Sequence, residues 1–189
     1  MTVSPSAISA PTGVSAWQID PSHSNAHFSV RHMMVTNVRG EFSQLSGSLR
    51  LDASDITKSH VEATIQADSI NTRDAQRDAH LKSADFFDVE KYPTIEFRST
   101  RITRKGPGEL AVAGDLTIHG VTRPVVLAVE AEDVELKDPF GNVKRGATAT
   151  TTINRKDFGL TWNVALEAGG FIVGDEVKIT LDVELVKQA

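Results

Sequence analysis

From Trp17 onward, apolar positions recur at every second residue, the period of strands that bury one face and leave the other to solvent. Val61, Ala63, Ile65 and Ala67 alternate with Glu62, Thr64, Gln66 and Asp68. The last segment is the cleanest, with Val177, Ile179, Leu181, Val183 and Leu185 set against Lys178, Thr180, Asp182 and Glu184. Leu110 to Ile118, Val125 to Glu132 and Ala147 to Asn154 carry the same alternation. With Ala26 to Arg31, Val38 to Leu51 and Thr94 to Arg104 they make about eight predicted strands. Turns fall between them: Lys105-Gly106-Pro107-Gly108, then His119-Gly120 with its capacity for positive φ, then Asp138-Pro139-Phe140-Gly141 as a type I turn. Short successive connections make neighbours antiparallel. An eight-stranded up-and-down barrel removes the exposed edges of such a set, and a sandwich satisfies the same pattern.

One segment breaks the period. Asp74 to Lys82 has no β-branched residue and follows two capping candidates, Thr72 and Asp74, so a short helix is predicted there. Ser83 to Val89 continues as a further turn or two carrying Phe86 and Phe87.

Composition narrows the functional classes. With 189 residues, 40% apolar and 24% charged, the chain is long enough to bury a core without staples, and it contains no cysteine. Disulfide scaffolds, thiolate metal sites and cysteine nucleophiles are thereby excluded. A net charge of −5 lacks the electrostatic attraction that drives phosphate-backbone binding, so nucleic acid is not an expected partner. No apolar run reaches the roughly 18 residues of a membrane-spanning helix. Met1 to Gly13 has neither a basic start nor an apolar stretch, which points to a cytoplasmic protein, or to a periplasmic one if a signal has been removed. Residues 1–16 read as a disordered leader, and residues 17–189 as one domain.

Candidate chemistry is sparse. His23 and His27, four apart on a strand, would stand about 13 Å from each other, too far for one ion, and His32, His60, His80 and His119 fall in separate elements. His23-Ser24 point to opposite faces of a strand, no Gly-x-Ser-x-Gly elbow occurs, and Arg155 with Asp157 reads as a local ion pair. On the helix, Arg73, Arg77 and His80 share one face, either holding an anionic or polar head group or simply solvated beside Asp74 and Asp78. Alanines recur on the strands, among them Ala63, Ala111, Ala128, Ala147 and Ala149. On an inward face they would leave a void for a ligand, and on an outward face they would pack under a helix or subunit.

Six further motifs occur in order. They are Asp20-Pro21-Ser22-His23-Ser24 with Phe28-Ser29-Val30-Arg31-His32, then Val38-Arg39-Gly40-Glu41-Phe42, and Arg77-Asp78-Ala79-His80-Leu81 with Phe86-Phe87. Tyr92-Pro93-Thr94-Ile95-Glu96-Phe97, Leu116-Thr117-Ile118-His119-Gly120-Val121-Thr122 and Asn154-Arg155-Lys156-Asp157-Phe158-Gly159-Leu160 complete the set. Over Trp17 to Lys187 the chain resembles the YceI-like family, bacterial lipocalin-like proteins associated with polyisoprenoid binding.

The resemblance implies a mainly β fold, an eight-stranded antiparallel lipocalin-like barrel with one or two short helices. It implies an elongated apolar cavity, a polyisoprenoid or isoprenoid quinone lipid as ligand and commonly a homodimer; it establishes no catalytic residue, and no metal or cofactor is expected. By matching position, Phe28, Phe42, Phe86, Phe87, Phe97, Phe158 and Trp162 are candidates for the apolar tail, and Arg31, His32, Arg77 and His80 for the polar head. The expected function is non-catalytic binding, transport or storage of such a lipid. Two alternatives stand beside it: a hydrolase or isomerase of an isoprenoid-type lipid with His119 or His80 as general base, and a filled barrel that acts as a protein-interaction module.

Overall fold

The computed structural model describes residues 13–132, 134–167 and 169–189. In chain order the elements begin with β1 (Val14–Ile19), β2 (Asn25–His32), β3 (Thr36–Phe42), β4 (Leu45–Asp52), β5 (His60–Gln66) and β6 (Ile70–Asn71). The helix α1 (Ala75–Lys82) follows, then β7 (Thr94–Gly106), β8 (Glu109–Ile118), β9 (Val121–Ala131) and β10 (Leu136–Lys137). β11 (Val143–Asn154), a 3-10 turn at Arg155–Phe158, and β12 (Val173–Lys187) complete the chain, and two further 3-10 turns, Ile56–Lys58 and Ala67–Ser69, flank β5.

Eight staves close antiparallel into a barrel. β4 pairs with β1 and β5, β7 with β5 and β8, β9 with β8 and β11, and β12 with β11 and β1, so the last strand meets the first. The first stave is β1 continued by β2. Ile19 lies opposite Leu185 of β12, and after a break Asn25 lies opposite Asp182 on the same edge. β3 continued by β4 makes the second stave in the same way. The two-residue strands β6 and β10 extend the β5 and β9 staves in the same manner, β6 pairing with β3 and β10 with β11. Full closure removes the unpaired edges that a sandwich would keep.

The interruption between β1 and β2 has a local cause. Asp20 Oδ1 accepts from Ser22 N at 2.9 Å, which turns the chain over Pro21-Ser22-His23. The stave is then tied back to β12 by the buried Ser24, whose Oγ accepts from Glu184 N at 3.0 Å and donates to its carbonyl at 3.4 Å. β1 itself begins at Val14, which pairs with Asp52, so the ordered body starts inside the stretch read as a leader. Alternation was too weak at Val14 to Ala16 to reveal a strand whose partners lie far away in sequence, on β4 and β12. Residues 1–12, the remainder of that leader, lie outside the described residues.

The predicted turns are in place. His119 and Gly120 take φ of 53° and 72°, and Gly141 N donates to Asp138 O across Pro139-Phe140. α1 is capped by Asp74, whose side chain accepts from Gln76 N and Arg77 N. An eight-residue helix is marginal on its own, and it is held by Leu81 against the core and by Asp78, which accepts from Thr72 N and Oγ1 at 2.9 and 2.6 Å. Arg73 precedes the cap with a φ of 63°, so it does not share the helix face with Arg77 and His80 as the spacing predicts.

Candidate functional site

Period-two burial sends five sets of side chains into the barrel: Val61–Ile65, Leu110–Ile118, Leu127–Ala131, Ala147–Ile153 and Val177–Leu185 in alternate positions. They do not fill it. The interior holds a chamber of 180 Å³ toward the β4–β5 and β7–β8 turns and one of 150 Å³ toward α1. Each is on the order of ten times the space one water needs, and protein interiors leave few voids larger than a water. The filled-barrel alternative is therefore overturned. Leu45, Ala63, Phe97, Leu127 and Leu181 line both chambers, so the two lie end to end and meet at that ring.

The ends are closed by different means. At the first, Trp17 is fully buried with Leu51 and Leu185, and the Lys187 and Arg145 cations stand over its ring at 5.4 and 5.7 Å. At the second, Leu81 of α1 with Phe86 and Phe87 faces Ile118, Ile153 and Leu160. Alanine orientation, open in the sequence, is resolved by the sheet. Ala63, Ala131, Ala147 and Ala149 line the interior, whereas Ala111 and Ala128 border a groove on the outside.

Of the seven aromatic candidates, Phe28, Phe42, Phe86, Phe87 and Phe97 line the chambers. Phe28 and Phe42 meet at 5.6 Å, and Phe42 meets Phe87 edge-on at 5.8 Å. Phe158 and Trp162 do not line them. Phe158 is 2% exposed in the core beside β9, and Trp162 packs behind Phe86 and His80, at 5.3 and 4.6 Å. Both follow β11 in a segment that lies over the barrel end instead of running along its wall.

The four polar candidates do not converge, and none lines a chamber. Arg31 is exposed and donates to Met34 O at 2.9 Å within the β2–β3 hairpin. His32 closes that hairpin opposite Thr36 and Val173. Arg77 gives Nε to Thr72 Oγ1 and a second nitrogen to Thr72 O, both at 2.8 Å, holding the chain ahead of α1. His80 Nε2 lies 2.8 Å from Asp85 Oδ2, a histidine–carboxylate pair outside the chambers behind Phe86. His119 stacks edge-on with Tyr92 at 4.6 Å, also outside. Neither proposed base faces the interior.

The polar groups that do border the interior were missed. Arg104, Glu132, Arg145, Ser48 and Ser59 line the first chamber. Gly108, Glu132, Arg145 and Val183 also line a polar groove of 990 Å³, so this chamber adjoins the groove through a shared wall. The available signal was Arg145 in phase with Ala147 and Ala149, a charged residue on an otherwise apolar face.

Arg155 borders the second chamber but is committed elsewhere. Its Nε donates to Gly174 O at 2.8 Å, its terminal nitrogens to Leu160 O, Trp162 O and Val173 O, and its ion pair is with Asp175 at 3.5 Å. The expected partner Asp157 is replaced by a residue from the start of β12. Burial pushes the Arg155 guanidinium below its usual range, and Asp175 opposes that shift.

Asp20, His23 and Glu184 bring three possible metal-ligand atoms within 4.8 Å of one another. Lys144 Nζ already stands among them, 2.6 Å from Glu184 and 3.4 Å from Asp20. The His23 hydrogen bond, aided by Ser22 N–H, lowers the Asp20 carboxyl to about 2, and the Glu184 hydrogen bond raises Lys144. The cluster is an ion-pair network that pins the β1–β2 break to β11 and β12.

Residues 17–185 match the family described as the YceI-like domain. A UPF0312 protein of Staphylococcus aureus is 38% identical over 165 residues, 87% of this chain and 94% of the relative. Among solved structures, the Campylobacter jejuni YceI protein superposes with a TM-score of 0.69 at 28% identity, covering 84% of this chain and 90% of that one. Burkholderia cenocepacia BcnA gives 0.75 at 22% identity, over 88% of this chain and 98% of that one. A polyisoprenoid binding domain from Saccharophagus degradans gives 0.66 at 14% identity, over 92% and 99%. The last two show the shared fold.

Proposed function

The chain belongs to the YceI-like family, and on that premise we propose that its barrel is a non-catalytic binding site for an isoprenoid-type lipid, a polyprenyl chain or an isoprenoid quinone. The observation that carries this reading is the pair of apolar chambers set end to end inside a closed barrel. Apolar cavities of roughly 150 Å³ stay dry and accept apolar guests, and each buried methylene contributes about 0.8 kcal/mol. A branched, flexible chain suits a narrow bore better than a rigid ring system. The solved neighbour from Saccharophagus degradans, described as a polyisoprenoid binding domain, supports the same ligand class.

The polar residues set the orientation. The head group lies at the first chamber, where Arg104, Glu132 and Arg145 border the bore beside the outer groove, and the tail runs toward α1. The second chamber is bordered by His27, Glu96, Thr151 and Arg155, but the Arg155 donors are directed at backbone carbonyls, His27 lies 3.9 Å from Glu41, and Glu96 accepts from Thr94 Oγ1 at 3.2 Å.

Native mass spectrometry of the purified protein, followed by solvent extraction, tests this. A prenyl lipid is expected either to co-purify or to bind when farnesol is added, and to be recovered chemically unchanged. Protein that binds no added prenol overturns the reading, and a recovered prenyl compound that has been hydrolysed or isomerised overturns its non-catalytic part.

A further inference from the structure

The ring at which the chambers meet contains one aromatic side chain. Along β7, Ile95 lines only the second chamber, Ile102 only the first, and Phe97 both. Along the neighbouring β8, Val112 lines the first and Leu116 the second, and between them stands Gly114. A Cβ at Gly114 would lie 2.5 Å from Phe97 Cζ and 2.6 Å from Cε2, so the ring occupies the space that a side chain there would take. A glycine inside a strand costs stability and marks a place where another group approaches closely. Here two groups approach, the Arg98 backbone carbonyl of the paired strand and the Phe97 ring, which is laid over β8 at the level where the two chambers meet.

We propose that Phe97 sets the length of chain the barrel accepts, acting as a movable partition between the two chambers. This rests on the reading of the barrel as a prenyl-lipid site with its head at the first chamber. A short chain ends within the first chamber and never passes the ring. A longer one must thread past Leu45, Ala63, Leu127, Leu181 and Phe97 to reach the space under α1. Ala63 adds little bulk to that ring. Phe97 is its largest member, and rotation about its side-chain torsions moves the most volume into or out of the path. Length, and not head-group chemistry, is what such a partition discriminates.

The test compares prenols that share a head group, farnesol against geranylgeraniol and solanesol, delivered from detergent micelles and read by native mass spectrometry. In Phe97→Leu the affinity for the longer prenols relative to farnesol is expected to rise about tenfold. In Phe97→Trp the same ratio falls. Phe87→Leu, which alters the second chamber away from the ring, shifts the longer prenols by less than Phe97→Leu does. If Phe97→Leu loses cooperative unfolding, Leu181→Ala opens the same ring from β12 and must move the ratio in the same direction. Ratios that stay at the wild-type value in the Phe97 and Leu181 variants overturn the partition while leaving lipid binding intact. Failure of the wild type to bind any prenol overturns both.

Discussion

Phe28 on β2 and Gly40 on β3 face each other directly, and the Phe28 ring fills the volume that a side chain at position 40 would occupy. The glycine lets this ring lie against its own sheet, where it forms part of the wall of the second chamber beside Phe42. The same device recurs with Phe97 over Gly114. Two glycines thus help set the width of the bore.

Gly40→Ala should therefore act through Phe28. The added Cβ overlaps Phe28 Cζ and comes within 2.9 Å of Thr72 Cγ2, forcing the ring inward. Overpacking of this kind costs about 1–3 kcal/mol. Urea unfolding is expected to show that loss. Adding Phe28→Leu to Gly40→Ala should recover part of it, and strictly additive losses would show that the two positions are uncoupled.

Ala149→Trp should abolish lipid uptake without unfolding the barrel. Ala149 is 8% exposed and lines the first chamber, so the indole enters existing space. Cooperative thermal unfolding together with loss of farnesol from the native mass spectrum is the expected pair of results. Retained farnesol would place the ligand elsewhere.

Arg155→Met should release the segment between β11 and β12. The carbonyls of Leu160, Trp162 and Gly174 lose the Arg155 donor, Val173 O keeps only Asn163 Nδ2 at 2.7 Å, and Asp175 loses one of its cations. Each buried carbonyl left without a donor costs about 1–3 kcal/mol, while Asp175, partly exposed, keeps Lys156 at 2.9 Å. A lowered urea midpoint and new proteolytic cleavage within residues 159–167 are expected. Arg155→Lys should restore little, because an ammonium cannot spread donors over four carbonyls as the planar fork does.

Asp20→Asn should lose stability in a pH-dependent way. The Asp20 pKa falls from 3.8 to about 2 in the folded protein, chiefly through the His23 hydrogen bond. A depressed folded value means that the carboxylate stabilises the fold fully above pH 3.8, and that this contribution disappears as pH falls through about 2. The gap in urea midpoint between wild type and variant should be widest near neutrality and narrow across that window. A gap independent of pH would show that the charge on Asp20 contributes nothing.

Much of the barrel was legible in advance because alternation is a local property. Val177 to Leu185 announces its buried face within nine residues, and Asp74 and His119-Gly120 announce a cap and a turn from their own chemistry. The polar rim was not legible. Arg31, Arg77 and His80 carry the right chemistry, but their partners are Met34, Thr72 and Asp85, so they are used in hairpin, cap and turn. Arg145, which does border the bore, sits in a strand whose neighbours β9 and β12 are fixed only by closure. Phe158 and Trp162 failed as lining residues for the same reason, since nothing within their segment fixes where it crosses the barrel end.

The sequence by itself determined which side chains of a strand share a face, because a strand's two faces follow from counting along one chain, and the closed sheet decided which of those faces is the inner one. Only the tertiary structure decided that those side chains leave room between them, and that the room is divided at Phe97. An enclosed volume is what remains after side chains from eight separate staves have been placed around a common axis, and no stretch of neighbouring residues contains that sum.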